Sequence, residues 1–195
     1  MTDEKTLFNQ SFDSLVGIRP CDILQYGPSK LYVDDYHWHI PMKGIIASYT
    51  PTHENVNDHF GIFRGVDQIE AFAQASIVSC AGFLECVKQN CSLIELRNKF
   101  LPAFISIGSV NFQHFLTPGD RFISIAEIKF YKFRQMVADG RIYKVPRDLD
   151  LTAYFQNFTA EMLFAFELEP TFTLVAELSG ITGRALKKEI LTKKI

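Results

Sequence analysis

His59 and Glu70 are the two side chains of this sequence whose types and spacing best suit proton transfer. An imidazole has an unperturbed pKa of about 6.5, which suits a base at neutral pH. A glutamic acid ionises near a pKa of about 4.3, so it donates a proton at neutral pH only where desolvation raises that value. Taken alone, His59 is more simply a loop histidine, and Glu70 is a carboxylate stabilised by the first turn of a helix.

A helix over residues 67–89 is predicted to position Glu70. This segment has no proline, and its first glycine is Gly82. Because its apolar residues recur at helical spacing on nearly every side, we expect the helix to be buried. Asp67 and Glu70 also have the spacing of a capping box, which would turn the Glu70 carboxylate toward the backbone and compete with a chemical role.

The remainder of the chain is dominated by β-prone runs. A turn is predicted at residues 117–120, a hairpin at Asp139-Gly140 and a short helix at residues 12–18. The candidate strands are residues 23–26, 30–33, 44–49, 104–115, 122–133, 135–145 and 159–168. One long buried helix with antiparallel strands predicts a single α+β domain over residues 1–195, with a core of residues 12–170 and a C-terminal extension of residues 171–195.

Composition excludes several classes of function. The net charge is −2 and the pI is about 6.2, whereas nucleic-acid-binding domains are strongly basic. The first ten residues are polar, and the longest apolar run, residues 77–87, is too short to span a bilayer. The four cysteines lack disulfide-motif or zinc spacing, which favours free thiols in a reducing, cytoplasmic compartment. We expect no membrane and no nucleic-acid partner.

His37 and His39 flank Trp38 within a hairpin that we interpret as an insertion, residues 34–43. In a regular strand both histidines would face the same side, a spacing that can bind a metal. No cysteine or carboxylate is placed to complete such a site, so we expect no metal and no cofactor.

Two segments carry a family resemblance. Residues 58–66, DHFGIFRGV, with residues 69–75, IEAFAQA, resemble the signature of bacterial 3-hydroxyacyl-acyl carrier protein dehydratases. Residues 110–120, VNFQHFLTPGD, are similar to the strand and Pro-Gly-Asp turn that follow the helix in that family. The loop after His59 is shorter than the family's, and Arg64 stands where a proline is usual.

The resemblance implies a hotdog fold, in which an antiparallel sheet wraps a long central helix, here with insertions. It implies a homodimer whose active sites combine a histidine and a glutamate from different subunits. The reaction implied is removal of water from a 3-hydroxyacyl thioester, with His59 and Glu70 as catalytic residues. The implied substrate-binding residues are Phe60, Gly61, Phe63, Gly65, Val66 and Gln74.

Gly61 or Gly65 would supply a backbone N–H to the thioester oxygen. Gln74, one turn after Glu70, would orient Glu70 or fix the helix to a neighbouring strand. The basic residues that could meet an acidic acyl carrier protein or the phosphate of coenzyme A are Arg64, Lys129, Lys132 and Arg134.

Two alternatives remain open. A hotdog acyl thioesterase would use Glu70 to activate or position water, and a non-catalytic acyl-binding or interaction protein would need neither residue. The divergence of the chain favours a specialised pathway, such as polyketide- or aryl-polyene-like synthesis, over housekeeping fatty-acid synthesis.

Overall fold

A computed structural model describes residues 13–57, 59–166 and 168–189. Asp58, the start of the predicted core and the end of the tail lie outside these residues. In the described part, seven antiparallel strands form one sheet around a long helix, which confirms the predicted α+β architecture. The strands are β1 (Asp35–Ile40), β2 (Gly44–Tyr49), β3 (Phe100–Ser106), β4 (Ser109–Phe112), β5 (Phe122–Lys132), β6 (Gln135–Lys144) and β7 (Thr173–Lys187).

The sheet has the order β1-β2-β5-β6-β7-β3, and β4 also pairs with β7. The helices are α1 (Pro20–Ile23), α2 (Gly65–Ala73), α3 (Cys80–Gln89), α4 (Leu93–Lys99), α5 (Leu151–Tyr154) and α6 (Ala160–Ala165). A π-helical segment, Gln74–Ser79, joins α2 to α3, and together they form one central helix, Gly65–Gln89.

The central helix is the predicted one, beginning two residues earlier. By length and composition it could cross a membrane, but most of that apolar stretch is buried inside the fold, as in the core helix of a globular domain. The sheet approaches it closely at Gly140, where an added Cβ would lie 2.6 Å from Phe72 Cε2 and 2.0 Å from the Ile125 carbonyl oxygen. Only glycine fits this crossing, which keeps β6 in contact with the helix.

A second apolar cluster covers the outer face of the sheet. Trp38 and Phe158 pack edge to face, and the indole N–H of Trp38 donates to the Phe158 carbonyl at 2.8 Å. Phe155 and Leu163, from α5 and α6, are fully buried against this face. The segment between β6 and β7 therefore closes a face of the sheet that would otherwise be open to solvent.

The predicted boundary of the core was wrong. Residues 173–187 form β7, which pairs with β6, β3 and β4, so they are part of the sheet rather than an extension. The many polar and basic residues of this strand concealed it. Residues 159–168 were predicted as a strand but contain α6, because Thr159 caps a helix by accepting from the Met162 N–H at 3.3 Å.

Other local predictions were also wrong. Asp139 and Gly140 lie inside β6, and the turn is at Phe133 and Arg134, whose φ angles are 53° and 61°. Residues 23–26 and 30–33 form no strands, since the chain there runs as α1, a 3₁₀ turn and extended loops over the helix. Residues 13–18 form turns and bends rather than a helix.

A bulge in β1 places His37 and His39 on opposite faces of the sheet. The register with β2 shifts between Tyr36 and Trp38. His37 Nε2 then lies 2.8 Å from Ser48 Oγ on the outer side, while the His39 ring packs edge to face on Phe83 of the central helix. The prediction that both histidines share one side was wrong because an extra residue breaks the two-residue alternation.

Candidate active site

The two segments that carry the resemblance meet in space. Phe63 pairs with Leu116 in an isolated bridge, and its N–H donates to the Leu116 carbonyl at 2.8 Å. In the predicted turn, the Asp120 carboxylate accepts from the N–H and hydroxyl of Thr117 at 2.9 Å each. Each segment therefore fixes the position of the other.

His59 lies in a compact turn immediately before the central helix. Its N–H donates to the Val56 carbonyl at 2.9 Å, and its carbonyl accepts from the Ile62 N–H at 2.9 Å. Phe60 and Gly61 close the turn with φ angles of 56° and 74°. The shorter loop is thus hydrogen-bonded within itself. The His59 side chain is half-buried and makes no hydrogen bond to any residue that the structure describes, which leaves both ring nitrogens available.

Phe63 anchors this loop from inside the fold. Its ring is fully buried, with centroids 5.3 Å from Tyr32, 5.9 Å from Tyr49 and 5.9 Å from Phe122. Contacts of this kind hold the loop to β2, β5 and the segment before β1. Phe63 therefore positions its neighbours, whereas Phe60 is fully exposed.

The central helix begins at Gly65 without a side-chain cap. Arg64 is the N-cap residue, and its guanidinium donates to both Asp67 oxygens, at 2.7 and 3.0 Å. The predicted capping box was wrong, because the earlier start makes Asp67 the third helical residue. The first N–H groups of a helix have no intrahelical acceptor, so those of Gly65 and Val66 can meet an anionic oxygen.

Phe112 of β4 covers the start of the helix. A Cβ added to Gly65 would lie 2.6 Å from Phe112 Cζ, so only glycine permits this approach. Val66, Phe112 and Phe115 are exposed apolar side chains, as is Phe60. These exposed apolar side chains lie in or beside the two segments that meet at the helix start.

Glu70 lies one turn into the helix and is half-buried. Its Oε1 accepts from Gln74 Nε2 at 3.0 Å. Gln74 is completely buried; its Nε2 also donates to the Lys30 carbonyl at 2.8 Å, and its Oε1 accepts from the Tyr32 N–H at 2.8 Å. Gln74 thus holds Glu70 and the segment before β1 together, as the sequence suggested for a positioning residue.

An apolar cavity lies farther along the helix and reaches Tyr26, whose phenol neighbours the Glu70 carboxylate. It lies between the central helix and strands β3 and β7, with walls that include Tyr26, Ala73, Val78 and Phe104. Burial, together with the neighbouring Glu70 carboxylate, raises the pKa of the Tyr26 phenol. Tyr26 therefore links Glu70 to the cavity. Tyr26 was not among the predicted site residues, because Tyr26 and Glu70 are far apart along the chain.

The four basic residues assigned to carrier binding do not form one patch. Arg64 is engaged with Asp67 at the start of the central helix. Lys129, Lys132 and Arg134 lie around the β5–β6 turn, near Glu85 at the other end. Glu70 and Glu85 are separated by about 20 Å along the helix, given a rise of about 1.5 Å per residue.

The structure places His59 and Glu70 near the start of one helix but does not join them. In the part of the chain that the structure describes, no hydrogen bond connects the two side chains. A substrate bound against the helix start would have to bring them into one reaction, or each would act with a residue of a second subunit.

No protein-family model and no curated protein matches the sequence. Among solved structures, a chain of the dehydratase heterocomplex ApeI:P from Xenorhabdus doucetiae is similar, with a TM-score of 0.60 and 12% identity over 91% of this chain and 97% of that chain. A thioesterase family protein from Silicibacter pomeroyi has a TM-score of 0.46 and 13% identity over 78% and 83% of the two chains. A 1,4-dihydroxy-2-naphthoyl-CoA thioesterase from Synechocystis has a TM-score of 0.45 and 11% identity over 74% and 83%.

These similarities concern the fold. The central helix, the antiparallel sheet that wraps it and the chain-long match to the Xenorhabdus structure agree with one another. This chain has a hotdog fold.

Proposed function

We propose that the protein is a dehydratase that removes water from 3-hydroxyacyl thioesters. The observation that carries the proposal is the arrangement at the start of the central helix. There, a half-buried imidazole without a partner among the described residues, an uncapped glycine N–H and a half-buried glutamate lie close together in the sequence, and Tyr26 connects the glutamate to an apolar cavity. The resemblance of the surrounding segments to 3-hydroxyacyl-acyl carrier protein dehydratases and the dehydratase neighbour support the same chemistry.

Dehydration requires a base at C2 and an acid at C3. Neutral His59 would take the C2 proton, the electrons of that bond would form the C2–C3 double bond, and the C3–O bond would break. Glu70 would give its proton to the departing hydroxyl, so that water leaves. Each positioned acid or base is typically worth about 10²–10⁴ in rate.

The developing charge on the thioester oxygen also needs stabilisation. The Gly65 N–H at the start of the helix is suited to this, because backbone donors there have no intrahelical acceptor and the helix dipole favours negative charge. Phe112, which packs on Gly65, excludes water from one side of this position.

Glu70 is held in an orientation that suits an acid. Gln74 donates to Oε1, and the Tyr26 phenol lies against the same carboxylate. Gln74 cannot rotate freely, because its amide is bonded to Lys30 and Tyr32. The carboxyl group is therefore fixed before the substrate binds, and orientation of this kind is a main source of catalytic rate.

We infer that the complete site forms in a homodimer, with His59 and Glu70 of one site from different subunits. The absence of a direct bond between them within the described chain fits this arrangement, as does the exposed apolar surface around Phe60, Val66 and Phe115. The acyl group would be carried by an acyl carrier protein or coenzyme A, with Arg64 as the basic residue nearest the helix start.

A thioesterase is the second candidate. It is favoured by one observation, that Gln74 orients Glu70 while no hydrogen bond joins Glu70 to His59 in the described chain. In that case Glu70 would position or deprotonate water, and the thioester would be hydrolysed to a free acid and a thiol.

The test is to incubate the purified protein with a 3-hydroxyacyl thioester or its enoyl counterpart and to follow enoyl absorbance and free thiol together. A dehydratase interconverts the two thioesters without releasing thiol, and His59→Ala and Glu70→Gln abolish the interconversion. His114→Ala is the matched control, since His114 is an exposed histidine in the second segment. Thiol release that depends on Glu70 but not on His59 would replace the proposal with the thioesterase.

A further inference from the structure

A second cavity lies toward the far end of the central helix. It is enclosed by the helix, α4, β3, β7 and the β5–β6 turn. Its walls share Ile77, Val78, Pro102 and Gly183 with the cavity that Tyr26 lines, so the two adjoin along the helix. Apolar side chains form most of its wall, but arginines line it as well.

Arg97 and Arg134 line this cavity, and the Nε–H group of each is buried. Neither Nε atom has a hydrogen-bond partner among the residues that the structure describes. Buried guanidinium N–H groups normally find acceptors, because leaving one unpaired costs free energy. Both side chains line the cavity, so a ligand there could supply the missing acceptor.

Both guanidinium groups are held in place. Arg97 Nη2 donates to the carbonyls of Cys21 and Leu24, at 3.1 and 2.9 Å. The Arg134 guanidinium lies 5.1 Å from the centre of the Phe100 ring, a cation–π contact. The two donors are therefore positioned by the fold before any ligand binds.

The carboxylate in the same wall does not pair with these donors. Glu85 is buried, and its oxygens accept from the Tyr131 hydroxyl and from Gln89 Nε2. Arg184 also lines the cavity, which brings three arginines against one carboxylate. The cavity is consequently apolar in its walls and positive in its charge.

We propose that this cavity binds the carboxylate end of an apolar chain, with Arg97 and Arg134 as the anion-binding residues. The chain would lie against Ile77 and Val78, and its carboxylate would accept from the two unpaired Nε–H groups. A phosphate is less well suited, because most of the cavity wall is apolar. The site concerns binding alone, so it does not depend on the reaction proposed above.

If the reaction holds as well, the adjoining cavities define the substrate class. The thioester would lie at the start of the helix, and the acyl chain would run along the helix toward the arginines. The preferred substrate would then be an acyl group that carries a second carboxylate at its distal end.

Calorimetry on the full-length protein with decanoate, 1-decanol and inorganic phosphate tests the site. We expect decanoate to bind one per chain, at least about tenfold more tightly than decanol, as expected for charged hydrogen bonds. Arg134→Gln should weaken decanoate binding by a similar factor, whereas Arg147→Gln, which removes the same charge from an exposed position, should leave it unchanged. Arg97→Lys, which keeps the charge but lacks Nε, should also weaken binding.

Equal affinity for decanoate and decanol in the wild-type protein would overturn the proposal without any variant. Unchanged binding in a folded Arg134→Gln protein, checked by circular dichroism, would also overturn it. Displacement of decanoate by inorganic phosphate at comparable concentration would assign the arginines to a phosphate instead. Calorimetry measures binding and does not depend on turnover. A protein that binds decanoate but catalyses no dehydration would therefore contradict the dehydratase proposal and support the carboxylate site.

Discussion

The inner face of the sheet packs against the central helix, whereas the outer face packs against α5 and α6. On the outer face, Trp38, Phe155 and Phe158 form an aromatic cluster, and the indole N–H is satisfied within the chain. On the inner face, Glu70, Arg97 and Arg134 keep polar atoms that can still meet a ligand. The comparison indicates that one face supplies stability and the other combines stability with chemistry.

Substitution of His59 should give the largest effect and should separate activity from stability. We expect His59→Ala to lower the dehydration rate by about 10²–10⁴, since a positioned base is lost. Its side chain has no hydrogen bond to a described residue, so the free energy of unfolding should change by no more than about 0.5 kcal/mol. Enoyl absorbance and urea unfolding measure the two quantities. A large loss of stability would mean that His59 is structural.

Phe155→Ala should show the opposite behaviour. Phe155 is fully buried in the outer cluster, and truncation of such a side chain costs about 3–5 kcal/mol. Activity per folded molecule should be retained, because no described contact links Phe155 to the candidate active site. Chemical denaturation with parallel rate measurements distinguishes the cases. Loss of activity in the folded variant would show that the two faces are coupled.

His37 lies on the outer face of the sheet and His39 on the inner face, so both faces contribute to the pH dependence of stability. Burial lowers the pKa of each to about 4, from 6.5. The unfolded chain therefore binds more protons between pH 6.5 and 4, so stability is complete above pH 6.5 and falls as the pH drops through this window. Burial raises the pKa of Asp34 to about 6, which gives a partial opposite contribution between pH 6 and 3.8.

We expect a net loss on the order of a few kcal/mol between pH 7 and pH 4.5. Urea unfolding at several pH values measures it. His39→Phe should reduce the slope, since Phe cannot be protonated, although it also loses the bond from the Leu15 N–H to His39 Nδ1, which is 3.1 Å long. A slope unchanged in this variant would exclude His39 as the titrating group.

Gln74→Leu should be destabilising by about 1–3 kcal/mol, because it leaves the Tyr32 N–H and Lys30 carbonyl without their buried partner. The rate should also fall, as Glu70 loses its orienting donor. Gln68→Leu is the matched control, since the Gln68 amide makes one bond, to the Phe63 carbonyl. Equal effects of the two changes on rate would argue against a positioning role for Gln74.

Phe60→Ser should have the smallest effect on the fold. Its side chain is fully exposed, so the stability of the chain should change by no more than about 0.5 kcal/mol. If the helix start lies at a subunit interface, dilution should dissociate the variant more readily than the wild-type protein. Light scattering across a concentration series tests this, and an unchanged assembly would place the interface elsewhere.

The local periodicity of apolar residues predicted several of the main helices and strands. The central helix, β2, β5 and β6 appear in the sequence as strong helical or β-prone runs. β7 was not predicted because its polar residues obscure the pattern of a strand, which becomes buried only when neighbouring strands pair with it. α6 was predicted as a strand because apolar residues alone do not distinguish a short helix from a strand. The bulge in β1 has no signal in the local sequence, since it depends on pairing with β2.

The candidate site was likewise predicted only in part. His59, Glu70 and Gln74 were found because they lie in segments with a family resemblance. The contacts that hold Gln74 and Arg97 in place were not, since Tyr32 binds Gln74 from 42 residues away and Arg97 binds the Leu24 carbonyl from 73 residues away. Contacts at such separations depend on the tertiary fold, and a single sequence does not record them.

The π-helical segment in the central helix has a consequence for how this protein could diversify. A π-helical turn contains about one residue more than an α-helical turn. Each residue of an α-helix rotates the chain by about 100° about the helix axis, so one extra residue changes the direction of every side chain that follows. Deleting one residue from the part of this segment after Gln74 would restore a continuous α-helix and rotate α3 relative to α2. Glu70 would keep its place, while the walls of the far cavity would be rebuilt. A single codon could thus alter ligand selection while the reactive end of the helix is inherited unchanged.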